Sequence, residues 1–289
     1  MGEGLVVKAY GGYCFVQDGS LVIQCTLRGR LKAEGAVVVG DRVRFSAIQE
    51  GRGVVEDVLP RTSLLHRPAI ANVDQIIIVV AFHDPEPVLN LVDRMLVLSE
   101  ASEIVTRICL NKTDLAGGAN PEWLQVYRGI SYGVLLTSAV AGDGIERLGD
   151  VLRARISVFA GQSGVGKSSL INRLIPGLEL RTGTVSRKLK RGRHVTRHVE
   201  LLRLDQQSWV ADAPGFSSLR LPNISREMLA DLFPEMRDLR GRCRFHSCLH
   251  DQEPDCAVKN AVANNTIAEF RYRNYIGFLH EVIAAERRY

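Results

Sequence analysis

The chain has 289 residues, 46% of them hydrophobic, and a mean hydropathy of zero, enough apolar content for two or three packed domains and too much for a disordered polypeptide. Its longest apolar run, Ile76 to Phe82, has strand length rather than membrane-span length, and Met1-Gly2-Glu3-Gly4 does not open a signal peptide, so no membrane association and a cytoplasmic location are expected. A net charge of +5 and a pI near 9.0 suit an anionic partner, and the excess is local: residues 1–60 carry seven Lys/Arg and seven Asp/Glu, whereas residues 187–197 (RKLKRGRHVTR) carry six Lys/Arg and no acid.

In chain order, residues 1–62 read as a small all-β module. Short alternating runs at Leu5–Ala9, Cys14–Gln17, Leu21–Leu27, Arg42–Ala47 and Gly53–Leu59 are separated by Gly and Asp-Gly turns. The pattern fits a five-stranded barrel of the oligonucleotide-binding (OB) type, and an SH3-like barrel would give much the same pattern. Residues 66–220 alternate strands and helices. Strands are predicted at Val73–Phe82, Ile104–Asn111, Val134–Thr137, Ile156–Ala160, Val199–Leu204 and Ser208–Ala211. Helices are predicted at Leu89–Ala101, Pro121–Arg128 with Asn120 as a candidate cap, Ile145–Arg153 and Lys167–Ile175. This is an α/β unit with a largely parallel sheet and ligand loops at the carboxyl ends of its strands. Residues 221–289 read as helical and polar, interrupted by a Cys/His cluster.

Two motif sets lie on this frame. Gly161-Gln162-Ser163-Gly164-Val165-Gly166-Lys167-Ser168 follows a strand and opens a helix, the context of a phosphate-binding P-loop, with Ser169 in the first helical turn. Glycines let backbone N–H groups approach phosphates, Lys167 reaches the β- and γ-phosphates, and Ser168 suits Mg²⁺. Asn111-Lys112-Thr113-Asp114 ends an earlier strand, and Thr137-Ser138-Ala139 ends the next. An Asp at position 114 can accept hydrogen bonds from guanine N1–H and its exocyclic amine, which adenine does not offer. Asn111 suits the Hoogsteen edge and the Lys112 stem can cover the base. This selects GTP over ATP. The guanine motif precedes the P-loop, the reverse of the order in ordinary small GTPases, so the domain reads as circularly permuted. The helix at Ile145–Arg153, normally last, runs almost directly into the strand at Ile156–Ala160, normally first.

Asp212-Ala213-Pro214-Gly215 ends a further strand: Asp212 is expected to hold Mg²⁺ through water, and the Gly215 N–H to meet the γ-phosphate. Many GTPases carry a water-orienting Gln next; here it is Phe216, so intrinsic hydrolysis is expected to be slow. Leu180–Arg197 is expected to form the first switch, with Thr196 sensing Mg²⁺ and His194 a candidate for positioning water; its basic run either faces RNA phosphates or is a solvated loop.

Cys243, Cys248, His250 and Cys256 fall within fourteen residues, and three thiolates with one imidazole make a closed set for structural zinc. His246 competes with His250 as the nitrogen ligand, and disulfides are the weaker alternative in a reducing compartment. Cys14, Cys25 and Cys109 read as buried free thiols.

With these residues in view, the chain resembles the ribosome small-subunit-dependent GTPase A family over essentially its whole length. The resemblance rests on the rotated motif order, Ala71-Asn72-Val73-Asp74-Gln75, Gly161–Ser168, Gly192-Arg193-His194, Asp212–Gly215 and Cys243/Cys248/His250/Cys256. It implies an N-terminal OB barrel, a permuted GTPase and a C-terminal zinc domain, acting in late maturation of the small ribosomal subunit with hydrolysis stimulated by that subunit. It also favours His250 over His246 and implies a catalytic part for His194. One departure stands out: the family usually has consecutive threonines after that histidine, and here Val195 replaces the first. The expected partners are the small subunit and its rRNA, with a monomer off the ribosome. The competing function is an RNA-binding assembly protein for which GTP is only a conformational ligand.

Overall fold

The structure is a computed structural model that describes residues 1–29, 31, 37–66, 68–178, 180, 199–212, 221 and 224–287. The N-terminal strands are β1 (Gly2–Tyr10), β2 (Tyr13–Asp18), β3 (Leu21–Leu27), β4 (Arg42–Gln49) and β5 (Arg52–Val58), closed into a barrel in the order β1-β2-β3-β5-β4. The β3–β5 pair is parallel, Gln24 opposite Arg52, whereas the other four pairings are antiparallel. That parallel closure marks the OB-type barrel and resolves the ambiguity with an SH3-like one, which alternation alone cannot. Inward-pointing Val6, Cys14, Val16, Cys25, Val43, Phe45 and Val55 fill the barrel. Cys14 and Cys25 sit opposite each other across β2–β3. Burial pushes their thiols up to about 12 and about 11, and Cys109 to about 12, so all three are inert packing residues.

A short hairpin follows, β6 (Leu64–His66) with β7 (Ala69–Ala71). Three-residue strands carry no readable periodicity, and the sequence had given no sign of it. The α/β unit comprises β8 (Gln75–Ala81), α1 (Leu89–Ala101), β9 (Val105–Asn111), α2 (Glu122–Gly129), β10 (Gly133–Leu136), α3 (Ile145–Leu152), β11 (Ile156–Ala160), α4 (Lys167–Leu174), β12 (Leu201–Arg203) and β13 (Trp209–Asp212). Helix α2 starts after Pro121 rather than being capped by Asn120. The six strands run in the order β10-β9-β8-β11-β13-β12, all parallel except β12 against β13. Central β8 is buried on both faces: Ile76, Ile78 and Val80 join one core, Ile77, Val79 and Ala81 the other, which explains its uninterrupted apolar run.

The permutation splice is pinned by hydrogen bonds. Between α3 and β11 lie only residues 153–155. The Ile156 N–H donates to the Asp74 carboxylate at 2.7 Å, and the Asp74 N–H donates to the Ile156 carbonyl at 2.9 Å. Asn72, with φ of 54°, joins barrel to sheet: its amide donates to the Gly40 carbonyl and its oxygen accepts from the Thr62 N–H. A Cβ at Gly40 would lie 2.1 Å from the Ala71 carbonyl oxygen, so this junction requires glycine.

The C-terminal region contains a 3₁₀ turn at Leu229–Leu232, α5 (Pro234–Arg237), α6 (Ala257–Ala263) and α7 (Glu269–Glu286). It is less polar than its sequence suggests. Leu229, Phe233, Met236, Val258, Tyr275, Phe278 and Leu279 form a core that also takes in Val97 of α1. The docking onto α1 is ionic as well. Fully buried Arg271 donates to Asp93 of α1 at 2.5 Å and to both oxygens of Glu235 at 2.7 and 3.0 Å. Asp93 also accepts from the Tyr127 hydroxyl and the Asn274 amide, each at 2.6 Å, and Arg94 grips Glu281 with two hydrogen bonds. No helix among the described residues is long and apolar enough to cross a membrane.

Candidate functional site

Four strands, two on each side of β8, deliver the candidate residues to one edge of the sheet: β9 ends at Asn111, β10 just before Thr137, β11 just before Gly161, and β13 at Asp212. This is the carboxyl edge, where open α/β sheets bind ligands. Asn111 ties the two motif sets together. Its amide donates to the Val165 carbonyl of the P-loop at 2.9 Å, and its oxygen accepts from the Ala139 N–H at 3.2 Å. The Ser138 hydroxyl donates to the Asp114 carboxylate and accepts from the Ala141 N–H, which fixes that exposed carboxylate. Lys112, in the left-handed region at φ 63°, donates to the Asp84 carbonyl. The guanine motif, the Thr137-Ser138-Ala139 loop and the P-loop thus form one hydrogen-bonded unit.

The P-loop glycines are required by contact as well as by φ. A Cβ at Gly161, φ +139°, would lie 2.2 Å from the Val79 carbonyl, and one at Gly166, φ +95°, would lie 2.3 Å from the Asn111 amide nitrogen. Gly164, at φ +85°, lies beside Pro85. Gln162, Ser163 and Val165 complete the loop, with Val165 buried in the core under α4. Lys167, at the start of α4, donates to the Gly161 and Gln162 carbonyls at 2.9 Å each. Burial lowers its pKa, opposed by the charge of Asp212. The Ser168 hydroxyl donates to Asp212 at 3.2 Å, and Ser169 is half-buried in the next position of the helix. A hydroxyl paired with a carboxylate at a P-loop is a donor set for a hard divalent cation. Gly215, Phe216, His194, Val195 and Thr196 lie outside the described residues, as does the basic run 187–197.

Sequence reasoning missed two supports of this site. Arg173 of α4 donates to the Ala139 and Val140 carbonyls at 2.7 and 2.8 Å, holding the loop that follows β10. Residues 82–88 lie against the P-loop and supply the Lys112 acceptor. Both contacts join residues far apart in sequence through backbone oxygens, so no residue pattern signals them.

A second site lies in the C-terminal region. The ligand atoms of Cys243, Cys248, His250 and Cys256 all lie within 4.8 Å of one another. His250 Nδ1 is 3.6 Å from Cys243 Sγ and 3.4 Å from Cys256 Sγ, and those two sulfurs are 3.9 Å apart. A tetrahedron with Zn–S of about 2.3 Å and Zn–N of about 2.0 Å has S–S edges of about 3.8 Å and S–N edges of about 3.5 Å, so the set fits that ion. The Ala257 N–H at the start of α6 points to Cys243 Sγ at 3.3 Å, and Tyr272 holds the His250 carbonyl at 2.7 Å. His246, the other candidate nitrogen ligand, is exposed and lies outside the cluster.

A P-loop at a parallel sheet's carboxyl edge, bonded to a guanine motif that precedes it in the chain, defines a circularly permuted GTPase. Comparison with known proteins narrows this. The RsgA GTPase family model matches residues 58–222, and the RsgA N-terminal domain model matches residues 3–55. A protein of Moorella thermoacetica named small ribosomal subunit biogenesis GTPase RsgA is 50% identical over 288 residues, 99% of each chain. Its namesake in Carboxydothermus hydrogenoformans is 45% identical over 287 residues, again 99% of each. Among solved structures, YjeQ from Thermotoga maritima superposes with a TM-score of 0.81 at 39% identity, covering 97% of this chain and 98% of that one. YloQ, described as a circularly permuted GTPase, gives 0.79 at 36% identity over 99% and 96%. The chain belongs to the RsgA GTPase family and is a GTP-hydrolysing enzyme.

Proposed function

We propose that this GTPase acts in the cytoplasm on the maturing small ribosomal subunit, as a monomer off the ribosome, and that the subunit stimulates its hydrolysis of GTP. The observation that carries the nucleotide part of the reading is the Asn111–Val165 hydrogen bond, which joins the loop assigned to guanine to the phosphate-binding loop. The names of the 45–50% identical relatives support the ribosomal partner. We assign residues 1–62 to rRNA binding, 66–220 to the GTP cycle and 221–289 to a zinc-stabilised unit.

In this reading Asp114 and Asn111 hold guanine, with Lys112 and Ala139 lining the base, and Ser138 keeps the Asp114 carboxylate aimed at it. Backbone N–H groups of residues 161–169 hold the phosphates. Lys167 leaves the Gly161 and Gln162 carbonyls for the β- and γ-phosphates, where its charge stabilises the transition state more than the ground state. Ser168, Thr196 and, through water, Asp212 would hold Mg²⁺, which neutralises the charge developing on the phosphates. The Gly215 N–H contacts the γ-phosphate. Phe216 cannot orient water, so His194 takes that part when the subunit is bound. Cys243, Cys248, His250 and Cys256 would hold one zinc ion with all four positions taken, so the ion would stabilise the fold and take no part in the reaction.

The deciding experiment measures GTP hydrolysis with and without purified small subunits. Multiple-turnover hydrolysis that rises with subunit concentration is the expected result. A protein that binds GTP and subunits but does not turn over faster on them is the RNA-binding assembly factor instead.

A further inference from the structure

At the opposite edge of the sheet from the nucleotide loops, a cleft of about 970 Å³ separates the barrel from the α/β unit. Its floor is the starts of β8, β11 and β13, at Asp74, Ile156 and Trp209. One wall is the barrel, another the permutation splice, and the third the β12–β13 turn, which Arg203 fastens to the barrel by donating to the Gly19 carbonyl at 2.9 Å.

Three arginines line this cleft, one from each wall: Arg42 from the barrel, Arg155 from the splice and Arg203 from the turn. None pairs with a carboxylate among the described residues. Arg203 bonds to carbonyls of Gly19 and Asp205, and Arg155 to the Gln75 side-chain oxygen at 3.2 Å and the Val151 carbonyl at 3.3 Å. Exposed Arg42 makes no side-chain hydrogen bond or ion pair with a described residue. Behind Arg155, Arg107 shares the same neutral Gln75 oxygen at 2.7 Å. Burial, then the Arg155 charge, lowers the pKa of Arg107, as expected of cations crowded without a counter-ion. The nearby acids have partners already. Glu3 meets Arg44, Asp74 caps Ile156, and Asp205 accepts from its own turn at Gln207 and Ser208.

We propose that this cleft binds the sugar-phosphate backbone of a single-stranded RNA segment, with Arg42, Arg155 and Arg203 on successive phosphates and Gln206 and Gln207 at the rim. The inference rests on the ribosomal reading above and gives it a contact site apart from the nucleotide loops. The lining is mixed, apolar at Leu59, Ile156 and Trp209, and among its charged residues the three arginines outnumber the acids Glu3 and Asp74, which already have partners. Walls on three sides suit an extended strand laid along the floor. The cleft exists because of the permutation, since the splice forms one wall.

The test uses the full chain and a fluorescent single-stranded RNA 12-mer of mixed sequence, titrated by anisotropy at several salt concentrations. Each phosphate contact contributes about 0.7 to the slope of log K against log salt for single strands. The double variant Arg42→Ala/Arg203→Ala is expected to lose about 1.4 from that slope and to bind about tenfold more weakly near 0.15 M salt. Arg42→Lys/Arg203→Lys is expected to keep the slope, because a point charge suffices at a phosphate. Basal GTP hydrolysis should stay at its wild-type value, since neither residue touches the nucleotide site, and Arg42→Ala alone, which breaks no contact with a described side chain, should lose about 0.7 from the slope. An unchanged slope in the alanine variant overturns the proposal, and so does displacement of the RNA by polyglutamate as readily as by poly(U). Stimulation of wild-type hydrolysis by small subunits is measured in parallel: its absence defeats the ribosomal reading, whereas its presence alongside an unchanged slope defeats the cleft alone.

Discussion

At the scale of single residues, base choice turns on Asp114, held by the Ser138 hydroxyl at the edge of the guanine site. Asp114→Asn replaces a double acceptor by an amide that can donate to the O2 of xanthine. GTP affinity should fall by at least tenfold, on the order of the cost of a lost charged hydrogen bond, while xanthosine triphosphate affinity rises. Equilibrium titration of both nucleotides checks this, and unchanged GTP affinity would falsify the guanine assignment. Lys167→Ala removes a charge made available to the transition state. Turnover should drop by about 10²-fold or more, read in single-turnover hydrolysis at saturating GTP. Gly166→Ala tests the joint between the motifs. Its new methyl must displace the Asn111 amide, which lies 2.3 Å from the Cβ position, and the Val165 bond goes with it. GTP binding should weaken although no ligand contact has been deleted.

Among elements, the seat of the C-terminal region on α1 is the unexpected feature. Arg271 is 1% exposed and Asp93 fully buried, so their charges persist only because each finds partners inside. Arg271→Met leaves Asp93 and Glu235 without their counter-charge. Stability should fall by about 3–5 kcal/mol, the usual cost of breaking a buried pair from one side, measurable by urea unfolding. The Cys/His cluster is the other fixed point of this region. Cys248→Ser should lower bound zinc, read by elemental analysis, and shift the melting of the C-terminal region downward, because binding the ion is coupled to folding. Wild-type protein free of zinc after purification without chelator would remove the ion from the account.

For the whole molecule, α1 links the two ends of the machine. The segment before it lies against the P-loop and accepts from Lys112, and its opposite flank carries Asp93, Arg94 and Glu100, which hold Arg271, Glu281 and Arg237. A change around the γ-phosphate therefore has a packed route to the C-terminal region, besides the covalent route through residues 213–223, of which only Leu221 is among the described residues. Such a route matters only if the subunit distinguishes the two nucleotide states. Small-subunit binding should be tighter with a non-hydrolysable GTP analogue than with GDP, and should weaken as salt rises. Equal affinity in both states at fixed salt rules out release by hydrolysis, whatever the rate of the chemistry.

The sequence by itself determined the nucleotide chemistry, the rotated motif order and most elements, because each was written in neighbouring residues. The P-loop, Asn111–Asp114 and Cys243–Cys256 are local patterns, the apolar run of β8 is a local composition, and the strand at Ile156–Ala160 and the helix at Leu89–Ala101 were read with their observed bounds. Tertiary structure alone decided the rest. The OB topology depended on β3 pairing parallel with β5, a choice of partner that alternation does not encode. The burial of Arg271 depended on Asp93, 178 residues away, since a charge reads as surface until its counter-charge is brought beside it. The arginine cleft depended on three walls drawn from the barrel, the splice and the β12–β13 turn. Local patterns specify which groups a chain carries; which groups meet, and which charges are left without a partner, is fixed only when distant segments pack.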